Sequence, residues 1–340
     1  MLYALARPSL FGLKPEAAHD LTMATLGRAG RLARVIACPP PALPVKAMGL
    51  EFPNPVGLAA GLDKDGEAID GLAALGFGFL ELGTATPRPQ PGNPKPRMFR
   101  VARAEALVNR MGFNNEGIDR LVAQIKRARF SGIIGVNIGK NKDTPNERAV
   151  DDYLHCLRKA HPVASYITVN VSSPNTAGLR DLQSEEALAD LLAALKQETR
   201  ELDRSSGRRV PLALKVAPDQ TDESFAALVR AINRVPPAAV IAGNTTVDKS
   251  LLGDDPIAEE AGGLSGAPLR QRADEVLSAL RDELDEAIDL IGVGGITQGE
   301  HGAEKIRRGA RLVQLYSGLI FRGPALVGET GHAIKAALQR

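Results

Sequence analysis

Polar side chains begin inside an apolar strand in the segment 169–180, VNVSSPNTAGLR. Asn170 lies within the predicted strand, and Ser173 and Asn175 follow at its end. An asparagine amide carries a hydrogen-bond donor and an acceptor together, and so does a serine hydroxyl. These residue types at this spacing predict a site that binds the polar edges of an uncharged ring.

Similar residues occupy the ends of the other apolar strands. They are Gly61 and Lys64, Thr84, Asn137, Lys215, Asn244 and Thr245, Gly294 and Gly295, and Tyr316 and Ser317. Each asparagine alone is more often a turn or cap residue, but several at successive strand ends favour a common site. Amides suit a planar heterocycle with alternating C=O and N–H edges, whereas a hard metal ion would require carboxylates. We expect no metal site, since the five histidines show no HxxxH or HExxH spacing.

Lys215 lies within the apolar strand PLALKVAP and must either extend to solvent or face a partner. In a barrel interior, that partner would be a bound anion or a developing negative charge. The glycines of GVGGI (292–296) and YSGLI (316–320) allow close backbone approach, and phosphate sites recur after the last two strands of barrels.

Ser173 has no surrounding GxSxG and no histidine placed to activate it, so a nucleophilic role is weakly indicated. A serine could act as a base if a cofactor made the proton unusually acidic. Alone, it would be interpreted as a cap of the turn before Pro174.

The elements that must position these residues alternate along the chain. Strands are predicted at 56–61, 79–84, 133–139, 166–173, 212–217, 240–246, 290–295 and 312–317. Amphipathic helices are predicted at 67–75, 116–127, 150–159, 185–202, 224–235, 269–284, 300–308 and 325–338. Eight strands with helical crossovers predict an α/β fold, a closed (β/α)8 TIM barrel. An open doubly wound sheet is the alternative, but AAGLDKDG lacks the GxGxxG spacing. Residues 85–110 are predicted to form a long loop, which is typically either functional or flexible.

Composition limits the partners. The 340 residues carry a formal net charge of +2, which implies no strong field for nucleic acid. Two cysteines, Cys38 and Cys156, form no ligand pattern. The sequence contains no run of about 18 apolar residues that could span a membrane. In residues 1–34, five basic residues outnumber two acidic ones, and two short helices are predicted to join near residues 12–15. By pattern alone, packing on the domain is favoured over a membrane-surface hairpin.

Taken together, these residues resemble the dihydroorotate dehydrogenases, specifically the membrane-associated, quinone-using class. The likeness runs over nearly the whole chain. The motifs that carry it are AAGLDK (59–64), ELGTATPRPQPGNPKPRMFR (81–100), NRMGFNN (109–115), GVNIGKNK (135–142), VNVSSPNTAGLR (169–180), LKVAPD (214–219), NTT (244–246), GGLSG (262–266), GVGGI (292–296) and QLYSG (314–318). Gly243 departs from the pattern, since relatives often carry Thr before NTT.

The resemblance implies a TIM barrel at 41–340 with one FMN per chain, and a helical extension at 1–40. FMN contacts are implied for Ala60, Gly61, Leu62, Asp63, Lys64, Thr84, Asn137, Asn170, Lys215, Gly266, Gly295, Tyr316 and Ser317. Substrate contacts are implied for Lys64, Asn109, Arg110, Met111, Gly112, Phe113, Asn170, Asn175, Asn244 and Thr245. The implied catalytic base is Ser173, which would remove a proton from C5 of dihydroorotate while hydride leaves C6 for the flavin.

The implied second substrate is a membrane quinone, ubiquinone or menaquinone. His19, Arg100 and Tyr316 match positions near the family's quinone tunnel. With the resemblance in view, the N-terminal hairpin is expected to lie on the membrane surface, at the cytoplasmic face of the inner membrane, in a monomeric enzyme of pyrimidine biosynthesis. Three other interpretations remain: a lyase or isomerase with a Lys215 Schiff base, a non-catalytic binding barrel, and another pyrimidine-reducing flavin barrel.

Overall fold

A computed structural model describes residues 2–176 and 178–339. The strands in chain order are β1 (Val45–Ala47), β2 (Leu50–Phe52), β3 (Val56–Leu58), β4 (Phe79–Ala85), β5 (Met98–Val101), β6 (Ala106–Asn109), β7 (Ile133–Ile138), β8 (Tyr166–Asn170), β9 (Leu212–Val216), β10 (Ala239–Ala242), β11 (Gly263–Gly266), β12 (Asp289–Val293) and β13 (Leu312–Leu315). The helices are α1 (Leu2–Gly12), α2 (Pro15–Ala29), α3 (Ile69–Ala73), α4 (Ile118–Arg127), α5 (Ala149–Ala160), α6 (Glu185–Ser206), α7 (Asp222–Arg234), α8 (Arg270–Glu283), α9 (Gly299–Arg307), α10 (Ser317–Arg322) and α11 (Ala325–Leu338).

Eight parallel strands close into a barrel in the order β10, β12, β13, β3, β4, β7, β8 and β9, and β9 pairs again with β10. The predicted (β/α)8 barrel is therefore confirmed, and every predicted strand is present. Several strands end earlier than predicted, because polar side chains take over the backbone hydrogen bonds. The Ser172 N–H, for example, donates to Asn170 Oδ1 at 3.2 Å just after β8. The predicted last strand ends before Ser317, which instead begins the unpredicted helix α10.

The predicted helices are present with small shifts at their ends. Helix α7 begins at a capping box, in which the Ser224 N–H donates to Thr221 Oγ1 and the Thr221 N–H donates to Ser224 Oγ. The two N-terminal helices α1 and α2 are also as predicted, and a 3₁₀ segment (Gly30–Ile36) follows them. Within the described residues, no helix is both long and apolar enough to cross a bilayer.

The prediction that residues 85–110 form only a loop is wrong. They contain β5 and β6, which join β11 in an antiparallel sheet beside the barrel. Each of these strands has only four residues. Such short strands are hard to distinguish from loop in sequence, because two residues on each face define no period.

Aromatic side chains fill the end of the barrel that holds the strands' amino termini. The ring of Phe79 meets Phe52 and Tyr166 edge to face, at centroid distances of 5.2 and 6.3 Å. Gly57 and Gly135 make this packing possible, because a Cβ there would lie 2.1 Å from Phe79 and 2.2 Å from Tyr166. The hairpin β1–β2 supplies Phe52 and was not predicted.

Behind β12, Asp274 of α8 and Lys305 of α9 form a buried ion pair, with Nζ 2.8 Å from Oδ1 and the lysine side chain 0% exposed. Removing one partner from such a pair leaves an uncompensated buried charge. We expect Asp274→Asn to lower the free energy of unfolding by about 3–5 kcal/mol, measured by urea denaturation. Glu300→Gln, which breaks the exposed pair with Arg307, should cost at most about 1 kcal/mol. Equal losses in the two variants would contradict this role of burial.

Candidate active site

A cavity opens at the carboxyl ends of the barrel strands, with about 1050 Å³ of space including its mouth. Most residues predicted for the site line it. They are Ala60, Gly61, Lys64, Thr84, Asn109, Met111, Gly112, Phe113, Asn170, Ser173, Asn175, Lys215, Asn244, Thr245, Gly266, Gly295, Tyr316 and Ser317. The structure thus brings together side chains from all parts of the barrel, in the arrangement expected for a ligand site of this fold.

The amide side chains on the cavity wall are hydrogen-bonded to one another. Asn170 Nδ2 donates to Thr84 Oγ1 at 3.0 Å and to Asn137 Oδ1 at 3.2 Å. Thr84 Oγ1 donates to Asn137 Oδ1 at 2.6 Å. Asn137 lies below the cavity wall, so it acts through these contacts. The wall is therefore pre-organised, since each amide already has a fixed orientation.

Ser173 lies at the mouth of this wall and is 6% exposed. Its Oγ accepts a hydrogen bond from the Asn175 N–H at 3.2 Å. Asn175 Nδ2 in turn donates to the Asn109 carbonyl at 3.1 Å. These contacts hold the hydroxyl at the cavity in a water-poor position.

Arg180 ties the loops after β8 and β10 together. Its guanidinium donates to the carbonyls of Ser172 and Thr245, each at 3.1 Å, and ion-pairs with Asp219 at 2.9 Å. Sequence reasoning missed Arg180, because its partners come from three separate segments.

Two lysines bring positive charge to the cavity. Burial lowers the pKa of Lys215, and the Glu81 carboxylate acts in the opposite direction. Burial also lowers the pKa of Lys64, while Asp65 raises it. Both ammonium groups therefore lie where a bound anion or a developing negative charge would be stabilised.

The cavity wall around Gly266 and Gly295 is bare backbone. Both residues have positive φ, +102° and +70°, and a Cβ would lie 2.1 Å from the Glu105 carbonyl oxygen or 2.3 Å from Arg270 Cα. Only glycine fits there. Ser317 Oγ donates to Ser265 Oγ at 2.8 Å nearby. Backbone N–H groups and hydroxyls at this end of a barrel suit a phosphate.

Besides Asn137, three residues that were predicted to contact FMN or substrate lie outside the cavity wall. Arg110 turns away and ion-pairs with Glu260 at 2.6 Å, so its predicted substrate contact is not supported by the side-chain position. Both carboxylate oxygens of Asp63 accept backbone N–H groups before α3. Leu62 lies in a second, apolar cavity.

This apolar cavity lies between the N-terminal helices and the barrel, with about 900 Å³ of space including its mouth. The residues predicted for a quinone tunnel, His19, Arg100 and Tyr316, all line it. Arg100 Nε is buried and has no hydrogen-bond partner within the described residues. Tyr316 also lines the first cavity, and burial raises its pKa to about 12. The Tyr316 side chain is therefore shared by the walls of the two cavities.

The Dihydroorotate dehydrogenase family model matches residues 42–338. The chain belongs to the dihydroorotate dehydrogenase family. Azotobacter vinelandii dihydroorotate dehydrogenase (quinone) is 58% identical over 98% of this chain and 97% of its own length. The Pseudomonas aeruginosa protein of the same name is 55% identical over the full length of both chains. An Eimeria tenella DHODH solved with ferulenol is 35% identical, has a TM-score of 0.87, and is matched over 97% of this chain and 94% of that chain.

Two polar residues of this dihydroorotate dehydrogenase family member were missed in the sequence. Glu81 and Gln314 lie in apolar strands, and Gln314 lines the main cavity. The signal was the same as for Lys215, a lone polar residue within an apolar run. Glu81 was not predicted because only residues at the carboxyl ends of the strands were considered, and Glu81 lies near the start of β4.

His19 offers a test of the apolar cavity. Burial, reinforced by the Lys64 ammonium, lowers the pKa of His19 to about 4. Because the folded pKa is below the unfolded value of about 6.5, stability is fully present above about pH 6.5 and is lost as the pH falls toward 4. Between pH 7 and pH 5, urea denaturation should show about 2 kcal/mol more loss in wild type than in His19→Asn.

The matched control is His155→Asn, at an exposed position on α5. It should retain the pH dependence of wild type. If His19→Asn also retained that dependence, the buried, neutral state of His19 would be wrong.

Proposed function

We propose that this protein oxidises dihydroorotate to orotate with bound FMN and passes the electrons to a membrane quinone. One observation carries the proposal. A buried serine hydroxyl lies among amides and lysines in a cavity that shares the Tyr316 side chain with an apolar cavity. Two neighbouring sites of opposite polarity are what two half-reactions with a polar and an apolar substrate require. The names of the close relatives support the same pair of substrates.

The residues present fit FMN. Thr245 Oγ1 and Gln314 Oε1 are buried in the cavity wall without hydrogen-bond partners among the described residues, so a bound ring can satisfy them. Lys215 would face the pyrimidine end of the flavin, and the backbone at Gly266 and Gly295 would hold the phosphate. Bound FMN supplies two-electron redox chemistry to the site.

Dihydroorotate is a cyclic imide with a carboxylate. The amides of Asn170, Asn175 and Asn244 match the donors and acceptors of its ring. The Lys64 ammonium is the cation suited to its carboxylate. Uncharged amides would thus surround the ring of the substrate, and one ammonium group would face its carboxylate.

Ser173 would act as the base. It would take the proton from C5 while bound FMN supplies the acceptor for the hydride of C6, so that the C5=C6 double bond of orotate forms. The serine's own hydroxyl proton would pass to water. The Asn175 N–H keeps the Oγ in place during this transfer. Because Ser173 is 6% exposed, little bulk water competes with its Oγ for the C5 proton.

The quinone would bind in the apolar cavity. The Arg100 Nε–H, which has no hydrogen-bond partner among residues 2–176 and 178–339, is a donor for a quinone oxygen, and His19 lies in the same wall. Tyr316 would lie between quinone and flavin.

The N-terminal extension, residues 1–40, would rest on the membrane surface, and residues 41–340 would form the catalytic domain. Of the ten large hydrophobic side chains that are exposed in the described residues, seven lie between residues 2 and 36. They are Leu2, Leu5, Leu13, Leu21, Leu32, Val35 and Ile36. All five basic residues of this segment are exposed as well, which favours an anionic lipid surface. We place the protein at the cytoplasmic face of the cell membrane.

Replacing Ser173 by Ala tests the reductive half-reaction. FMN content should be unchanged, whereas flavin bleaching after anaerobic mixing with dihydroorotate should slow by about 10²–10⁴-fold, the usual contribution of a positioned base. Ser206→Ala, at an exposed position, serves as the control. Wild-type bleaching in Ser173→Ala would remove the serine from the mechanism, and a folded wild-type protein that takes up no FMN would end the proposal.

Replacing Ala18 by Phe tests the quinone site. Ala18 is buried and lines the apolar cavity, so a larger side chain fills part of it. The KM for a short-chain ubiquinone should rise about tenfold or more, which corresponds to about 1.4 kcal/mol of lost binding. Flavin reduction by dihydroorotate should be unchanged. Ala17→Phe, on the exposed face of α2, should leave both rates unchanged, and an equal effect of both variants would count against this site.

A further inference from the structure

Glu81 lies inside the barrel on β4 and is 0% exposed. Three side chains from three other barrel strands donate hydrogen bonds to its carboxylate. Asn137 Nδ2 lies 2.8 Å from Oε1, and Tyr166 Oη and Gln314 Nε2 lie 2.9 and 2.7 Å from Oε2. A buried carboxylate is costly unless its oxygens are satisfied, and here both are.

An ionised carboxylate can only accept hydrogen bonds. Asn137 must therefore turn its NH₂ group toward Glu81 and its Oδ1 away from it. That Oδ1 accepts from Thr84 Oγ1 and from Asn170 Nδ2. Since Asn170 uses its Nδ2 in this way, its Oδ1 is left as an acceptor.

The same order continues to the far side of the cavity. Asn170 Oδ1 accepts from Ser172 Oγ at 2.8 Å, and Ser172 Oγ accepts from Asn244 Nδ2 at 2.8 Å. Asn244 Oδ1 then accepts from the Thr245 N–H at 2.9 Å. The orientation of each amide thus follows from the one below it, and the first is set by Glu81.

Gln314 responds to Glu81 in the same way. Because its Nε2 donates to the carboxylate, its Oε1 points elsewhere and has no partner within the described part of the chain. Gln314 lines the main cavity, so an acceptor is offered to whatever binds there.

We propose that Glu81 is a positioning residue, whose acceptor-only carboxylate fixes which amide edges face the cofactor and the substrate. This inference rests on the proposed function and adds a group that touches neither molecule. The Glu81 carboxylate also opposes the burial that lowers the pKa of Lys215. Its negative charge therefore opposes the negative charge that the cofactor acquires on reduction.

The test is Glu81→Gln in FMN-loaded, full-length protein. Glutamine keeps the volume, but it can donate as well as accept, so the Asn137 and Gln314 amides lose their fixed orientation. We expect the protein to fold and to bind FMN. The flavin reduction rate at saturating dihydroorotate should fall about tenfold or more, the factor expected for one mispaired buried amide. The flavin midpoint potential should become more positive, because the buried negative charge is gone.

Tyr166→Phe is the matched control. It removes one donor to Glu81 but leaves the charge and the bond to Asn137, so the reduction rate and the potential should remain close to those of wild type. A wild-type rate or potential in Glu81→Gln would overturn the proposal, because Glu81 would then only brace the strands. Equal losses in Tyr166→Phe would also overturn it. Failure of the wild-type flavin to be reduced by dihydroorotate would instead refute the proposed function, so the two failures are distinguishable.

Discussion

Closure of eight parallel strands into a ring is the constraint on which the site depends. It brings the carboxyl end of every strand to one rim, so that residues far apart in sequence become neighbours. Asn170 and Lys215 are register partners on β8 and β9, and Glu81 on β4 reaches Gln314 on β13 although 233 residues separate them. An open sheet would keep the first and last strands apart, and these contacts could not form.

The interior of the ring is divided by polarity. Phe52, Phe79 and Tyr166 pack edge to face at one end, and the amide network begins directly above them. Tyr166 belongs to both layers, since its ring packs with Phe79 and its hydroxyl bonds to Glu81. Polar groups that are buried in this way strengthen one another only when every member is satisfied. Because aromatic rings lie beneath the network, its amides bond to one another and to Glu81, and this fixes their orientations.

Much of this arrangement could be predicted from the sequence. The eight strands and their helices follow from periodicity, and Lys215 was found because a charge within an apolar strand needs a partner. Glu81 carried the same signal in GFLELGTA, but its partners lie 56, 85 and 233 residues away, and only the fold reveals them. Arg110 was predicted to contact substrate from the resemblance of the motif NRMGFNN, whereas in the fold its side chain ion-pairs with Glu260. The sheet of β5, β6 and β11 was missed because its strands are so short.

The hairpin β1–β2 limits the directions from which ligands can reach the interior of the barrel. Its turn at Met48 is anchored to Asp289 by a 2.6 Å hydrogen bond, and Phe52 packs under the barrel. The hairpin therefore closes the barrel at the amino-terminal ends of its strands. Under the proposed function, the polar substrate would enter through the loops after the strands, and the quinone would enter between the N-terminal helices. Two separate entrances would then allow orotate to leave before the quinone binds.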